Sequence, residues 1–129
     1  MARFGNILLV EDDPITVMVC DRIIKMSGFS NEVLFKHNGY DAINHLKELI
    51  QTNQEPPDII FLDINMPVMN GWDFLQELES IKPQLQKMPR IFILSSTVDP
   101  EDYKKAAEFS TVEGFISKPL TQEHLKGLE

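Results

Sequence analysis

Five short apolar runs, each separated from the next by enough residues for a helix, limit what this chain can fold into. They lie at residues 7–10, 32–35, 58–62, 91–94 and 113–117. Such spacing suits crossover connections and not hairpins. Continuous apolar runs read as strands covered on both faces, which implies a parallel sheet in an α/β sandwich. Right-handed crossovers then make the sheet doubly wound, with helices on both faces. The second run is the least apolar and reads as an edge strand. All 129 residues are read as one domain, a size that buries roughly 65–70% of the unfolded surface without staples.

The intervening stretches carry helix signals. Pro14 fits a first helical turn, where its missing N–H costs nothing. Ile15, Met18, Val19, Arg22, Ile23 and Met26 then recur at helical spacing, and Gly28 closes the segment. A second helix is predicted from near Gly39, with Ala42, Ile43, Leu46, Leu49 and Ile50 on one face. The third begins near Gly71, with Phe74, Leu75 and Leu78 inward. Asp99-Pro100-Glu101-Asp102 starts a fourth that ends near Phe109. A short last helix follows Thr121, an N-cap residue with Glu123 nearby.

The formal charge of −8 argues against a nucleic-acid or anionic-membrane partner and suits cations. No apolar run approaches about 18 residues, so no membrane span is expected. The single cysteine, Cys20, lies in an apolar stretch and reads as a buried, inert thiol, which fits a cytoplasmic location.

In sheets of this kind ligands bind beyond the carboxyl ends of the strands. Glu11, Asp12 and Asp13 follow the first run and Asp63 the third. Ser95, Ser96 and Thr97 follow the fourth, and Lys118 the fifth. Each group has an ordinary explanation by itself: acids at a helix start, hydroxyls in a turn, a lysine in a loop. Their joint placement on one sheet edge does not. Converging carboxylates repel one another unless a cation is present. Hard oxygen ligands suit Mg²⁺, which takes one or two carboxylates plus phosphate oxygens. A lysine and a hydroxyl beside them suit a phosphoryl group, with a carboxylate as its nucleophilic acceptor.

The segments "ILLVEDDP", "DIIFLDINMPVMNG", "IFILSS" and "FISKPL" together resemble the receiver domain of two-component response regulators, from about Asn6 to Leu125. The resemblance implies a flavodoxin-like strand order 2-1-3-4-5. It implies that Asp63 is the phosphoacceptor and that Glu11 and Asp12 form the acidic pair, which with Asp63 makes up the Mg²⁺ site, Asp12 ligating the metal directly. Asn65 would offer its backbone carbonyl to the metal. Ser95, which follows its apolar run directly and is preferred over Ser96, would supply the hydroxyl that moves to the phosphoryl group. Lys118 would pair with that group, Phe115 would change rotamer on activation, and the Lys118–Pro119 bond would be cis. A sensor histidine kinase or phosphotransfer protein would be the donor. With no output domain expected, a further protein would receive the signal, and Tyr103, Lys104 and Glu108 are candidates to face it.

Relay intermediate or phosphate sink is the nearest alternative role. A Mg²⁺-dependent phosphatase typically needs a second aspartate two residues after its nucleophile. That position is Asn65, so only slow self-dephosphorylation is expected and not turnover. A flavodoxin-like cofactor site lacks its phosphate-binding loop after the first run.

Overall fold

A computed structural model describes residues 6–128 apart from 31, 65, 67, 68 and 96–98. The expectations for Asn65, Ser96 and Thr97 therefore lie outside the described residues. The strands are β1 (Ile7–Val10), β2 (Val33–Lys36), β3 (Ile59–Asp63), β4 (Arg90–Ser95) and β5 (Val112–Ser117). They alternate with α1 (Pro14–Met26), α2 (Gly39–Gln51), α3 (Gly71–Ile81), α4 (Pro100–Ala106) and α5 (Gln122–Leu128). All pairings are parallel and the order is β2-β1-β3-β4-β5, so β2 does lie at an edge.

Alternation along each strand divides the core. Leu8, Val10, Ile60, Leu62, Ile91 and Ile93 face α2, α3 and α4, where Ala42, Ile43, Leu46, Phe74, Leu75, Leu78 and Ala106 meet them. Ile7, Leu9, Ile59, Phe61, Phe92 and Leu94 face α1 and α5, against Val17, Cys20, Ile24 and Leu125. Each fully buried large apolar side chain contributes about 1.5–3 kcal/mol. That explains why these strands tolerate so little polarity before their carboxyl ends.

Several boundaries differ from those the sequence predicts. β2 begins and ends one residue later, and β3 extends to include Asp63 itself. α4 stops at Ala106, because Glu108 and Phe109 turn back with N–H bonds to Lys105 and Ala106, three residues earlier. Glu108 thus lies beyond the helix. The cap of α5 is reciprocal: Thr121 Oγ1 accepts from the His124 N–H at 3.2 Å, and His124 Nδ1 accepts from the Thr121 N–H at 3.1 Å. The residue that completes this cap is His124, next to Glu123.

The larger correction concerns α1. Its buried residues are Val17, Cys20 and Ile24, whereas Ile15, Met18 and Met26 are 67%, 57% and 68% exposed. Val19 and Arg22 are exposed as well. Two apolar stripes interleave on this helix, both at helical spacing, and only docking on the sheet selects between them. Cys20 is buried as expected, and burial pushes its thiol up to about 11.

Candidate functional site

β1 and β3 lie side by side, with Val10 opposite Leu62, so the residues that follow them emerge at the same edge. Glu11, Asp12 and Asp63 each offer a carboxylate oxygen, and these atoms all lie within 4.8 Å of one another. Glu11 is fully buried and Asp63 nearly so, while Asp12 is exposed. Asp13 is not part of the cluster. It caps α1, accepting from the Ile15 N–H at 3.3 Å and the Thr16 hydroxyl at 2.7 Å. The ordinary reading of an acid at a helix start is therefore right for Asp13 and wrong for its two neighbours.

Lys118 reaches the same place from the end of β5. Its Nζ pairs with Glu11 Oε1 and lies 3.8 Å from Asp63 Oδ1. Glu11 Oε2 accepts from the Asp12 N–H at 3.0 Å. Glu11 is thus held at both oxygens, which leaves Asp12 as the cluster's exposed carboxylate. Burial, together with the hydrogen bond to Asp63, raises the Glu11 pKa above its ordinary value, against the opposing pull of Lys118. Burial also works against the Lys118 charge, but its bond to Glu11 and the charges of Asp63 and Glu11 win, and its pKa is raised.

Ser95 ends β4 beside this cluster. It is buried, its neighbour on β5 is Ser117, and its carbonyl accepts from the Lys118 N–H at 2.9 Å. The Lys118–Pro119 bond is cis, as the resemblance implies. Phe115, opposite Ile93 on β5, is half-buried and lies 4.4 Å, centroid to centroid, from Tyr103 of α4.

Periodicity did not single out Gly39 and Gly71 as more than helix starts. Both make close backbone approaches to the segment that follows Asp63. An all-oxygen cluster of this kind fits a hard divalent cation better than a soft one. Its chemistry is that of an electrophile-binding edge: two carboxylates for a cation, one buried carboxylate beside a lysine, and a hydroxyl residue one strand away.

A sequence model of the response regulator receiver domain matches residues 7–128. Among solved structures, a two-component response regulator from Cytophaga hutchinsonii superposes with a TM-score of 0.87 at 34% identity, covering 97% of this chain and 93% of that one. One from Legionella pneumophila gives 0.79 at 27%, covering 96% and 94%. Among curated proteins, the osmosensing histidine protein kinase SLN1 of Saccharomyces cerevisiae is 31% identical over 94% of this chain. The probable methanogenesis regulatory protein FilR2 of Methanothrix harundinacea is 28% identical over 93% of it. The match spans only 9% of SLN1 and 76% of FilR2.

Proposed function

Because the chain belongs to the response regulator receiver domain family, we propose that Asp63 accepts a phosphoryl group in a Mg²⁺-dependent reaction. Receiver domains bind Mg²⁺ at an acidic pocket, and they act with histidine kinases or phosphotransfer proteins as phosphoacceptor switches. The observation that carries the proposal for this chain is one constellation. A buried aspartate at a strand end has a lysine ammonium 3.8 Å away and an exposed carboxylate within 4.8 Å.

The residues divide the work. A carboxylate oxygen of Asp63 attacks phosphorus, an O–P bond forms, and the bond to the donor's leaving nitrogen breaks with its electron pair. Asp12 and Asp63 would hold the cation, with Asn65 adding its carbonyl as the resemblance implies. Bound there, Mg²⁺ supplies charge neutralisation at the phosphoryl oxygens. Lys118 supplies a second positive charge, and Glu11 keeps that ammonium at the site. The Ser95 hydroxyl moves to the phosphoryl group and Phe115 turns into the space vacated, altering the face that includes Tyr103. We read the chain as a single cytoplasmic receiver unit whose downstream partner is a protein. Among the described residues no helix is long and apolar enough to cross a membrane.

Mg²⁺ should raise the thermal midpoint of the protein. A ligand at a hundred times its Kd stabilises by about 2.7 kcal/mol, and relieved carboxylate repulsion acts in the same direction. Thermal unfolding with and without Mg²⁺ measures this. The rise should largely disappear in Asp12→Ala, and a full rise retained there removes Asp12 from the metal.

The exposed stripe of α1 extends the reading to the donor. α1 starts at Pro14, directly after the acidic loop, and places Ile15, Met18 and Val19 in water beside the site. We assign this stripe to the phosphodonor protein. Met18→Glu should slow transfer from whichever kinase or phosphotransfer protein labels the wild type by about tenfold or more, the loss of one interface anchor. Labelling by a small phosphodonor should be unchanged. Equal slowing with both donors means that the stripe is not a docking surface.

A further inference from the structure

Ile64 and Met69, which follow Asp63, each accept a main-chain bond from a glycine. The Gly71 N–H donates to the Ile64 carbonyl at 3.2 Å. A methyl group on Gly71 would lie 2.7 Å from Ile64 Cα and 2.9 Å from the Asp63 carbonyl oxygen. Gly39, the first residue of α2, donates its N–H to the Met69 carbonyl at 2.9 Å. A methyl group there would lie 2.7 Å from that same oxygen and 3.2 Å from the Asn70 carbonyl oxygen. Both are main-chain atoms, so Met69 and Asn70 themselves would have to shift.

α2 is poorly placed to yield instead. Asn38 caps it, accepting from the Asp41 N–H at 2.8 Å, and Ala42, Ile43 and Leu46 fix it in the core. Its first residue therefore sets how close Met69 and Asn70 lie to α2, although among the described residues α2 contributes no carboxylate to the cluster.

We infer that Gly39 is a positioning residue for phosphoryl acceptance, acting through Met69, Asn70 and Gly71 on the main chain of Asp63 and Ile64. This rests on the reading of Asp63 as acceptor. The absent side chain allows the main-chain bond to Met69, and Gly71, two residues on, packs against the Asp63 carbonyl and Ile64. Reacting groups tolerate about 0.5 Å of misplacement, comparable to the displacement that an added methyl group demands.

The test is the Mg²⁺ concentration needed for half-maximal labelling by a small phosphodonor, measured well below the thermal midpoint. Gly39→Ala should raise it about tenfold, the lower range for loss of a group that orients metal ligands. Gly114→Ala is the control, because its methyl group would meet only the Phe92 ring, at 3.8 Å. It should leave the requirement unchanged. An unchanged requirement in Gly39→Ala, even with a lowered thermal midpoint, overturns the inference, since fold stability alone would then account for the bond. If Gly39→Ala does not fold, the wild type decides. Its Gly39 amide NMR signal should move with that of Asp12 during Mg²⁺ titration, and a fixed Gly39 signal overturns the inference. Failure of the wild type to label is a separate outcome that sinks the acceptor reading, and the NMR titration still decides the role of Gly39.

Discussion

Asp63→Asn is expected to abolish the gain of one phosphoryl group that the wild type shows with a small phosphodonor and Mg²⁺. The amide keeps the shape of the side chain at the end of β3 but lacks an anionic oxygen to attack phosphorus. Neighbouring carboxylates do not substitute. Glu11 is buried with both oxygens engaged, and Asp12 is the exposed acid assigned to the cation. Mass spectrometry of the intact protein reads the outcome, and labelling of Asp63→Asn at the wild-type level would place the acceptor elsewhere. Chelation of Mg²⁺ should suppress the wild-type signal. Beryllofluoride, a phosphoryl mimic, should move the NMR signals of Ser95, Phe115 and Tyr103 in the wild type and leave them in place in Asp63→Asn. Shifts confined to the Asp12 loop would favour a relay intermediate or phosphate sink over a shape switch.

Lys118→Met should destabilise the metal-free protein by about 3 kcal/mol at neutral pH, the lower range for removing one partner of a buried ion pair. The physical cause is Glu11. Its carboxylate is already raised by burial and by Asp63, and Lys118 is what opposes that rise. Without the lysine the folded state holds the Glu11 proton more tightly still, and linkage gives the sign. Below the ordinary value of 4.5 the carboxyl is protonated in both states and the penalty is small. As pH rises through the window between 4.5 and the raised folded value, the unfolded state gives up its proton first. The penalty grows through that window and then levels off. Urea unfolding of the two proteins at neutral and at mildly acid pH measures this, with the gap expected to narrow in acid. A gap independent of pH would mean that Lys118 stabilises the fold by packing and not by pairing with Glu11. Mg²⁺ should recover part of the loss, because a cation at the cluster offsets the same repulsion.

The sheet was legible in the sequence because a parallel strand buried on both faces must be apolar on both. Ile7–Val10 and the run through Leu62 are apolar at every position and short for a buried helix, which favours a strand. The position of the acids was legible for a related reason: a carboxylate directly after such a strand can lie only at the sheet's carboxyl edge. Glu11, Asp12, Asp63, Ser95 and Lys118 do meet there.

Other features depended on groups that come together only on folding. Which of two interleaved apolar stripes on α1 faces inward depends on how the helix lies on Phe61 and Leu9, and helical spacing is blind to that. The separation of Asp13 from the neighbouring acids depends on where the first turn of α1 begins, because the cap claims one acid and the strand end directs the other two. Gly39 reads locally as an ordinary first helical residue. Only the arrival of Met69, thirty positions along the chain, makes the absence of its side chain matter, because a steric limit between backbones belongs to the packed pair and to neither segment alone.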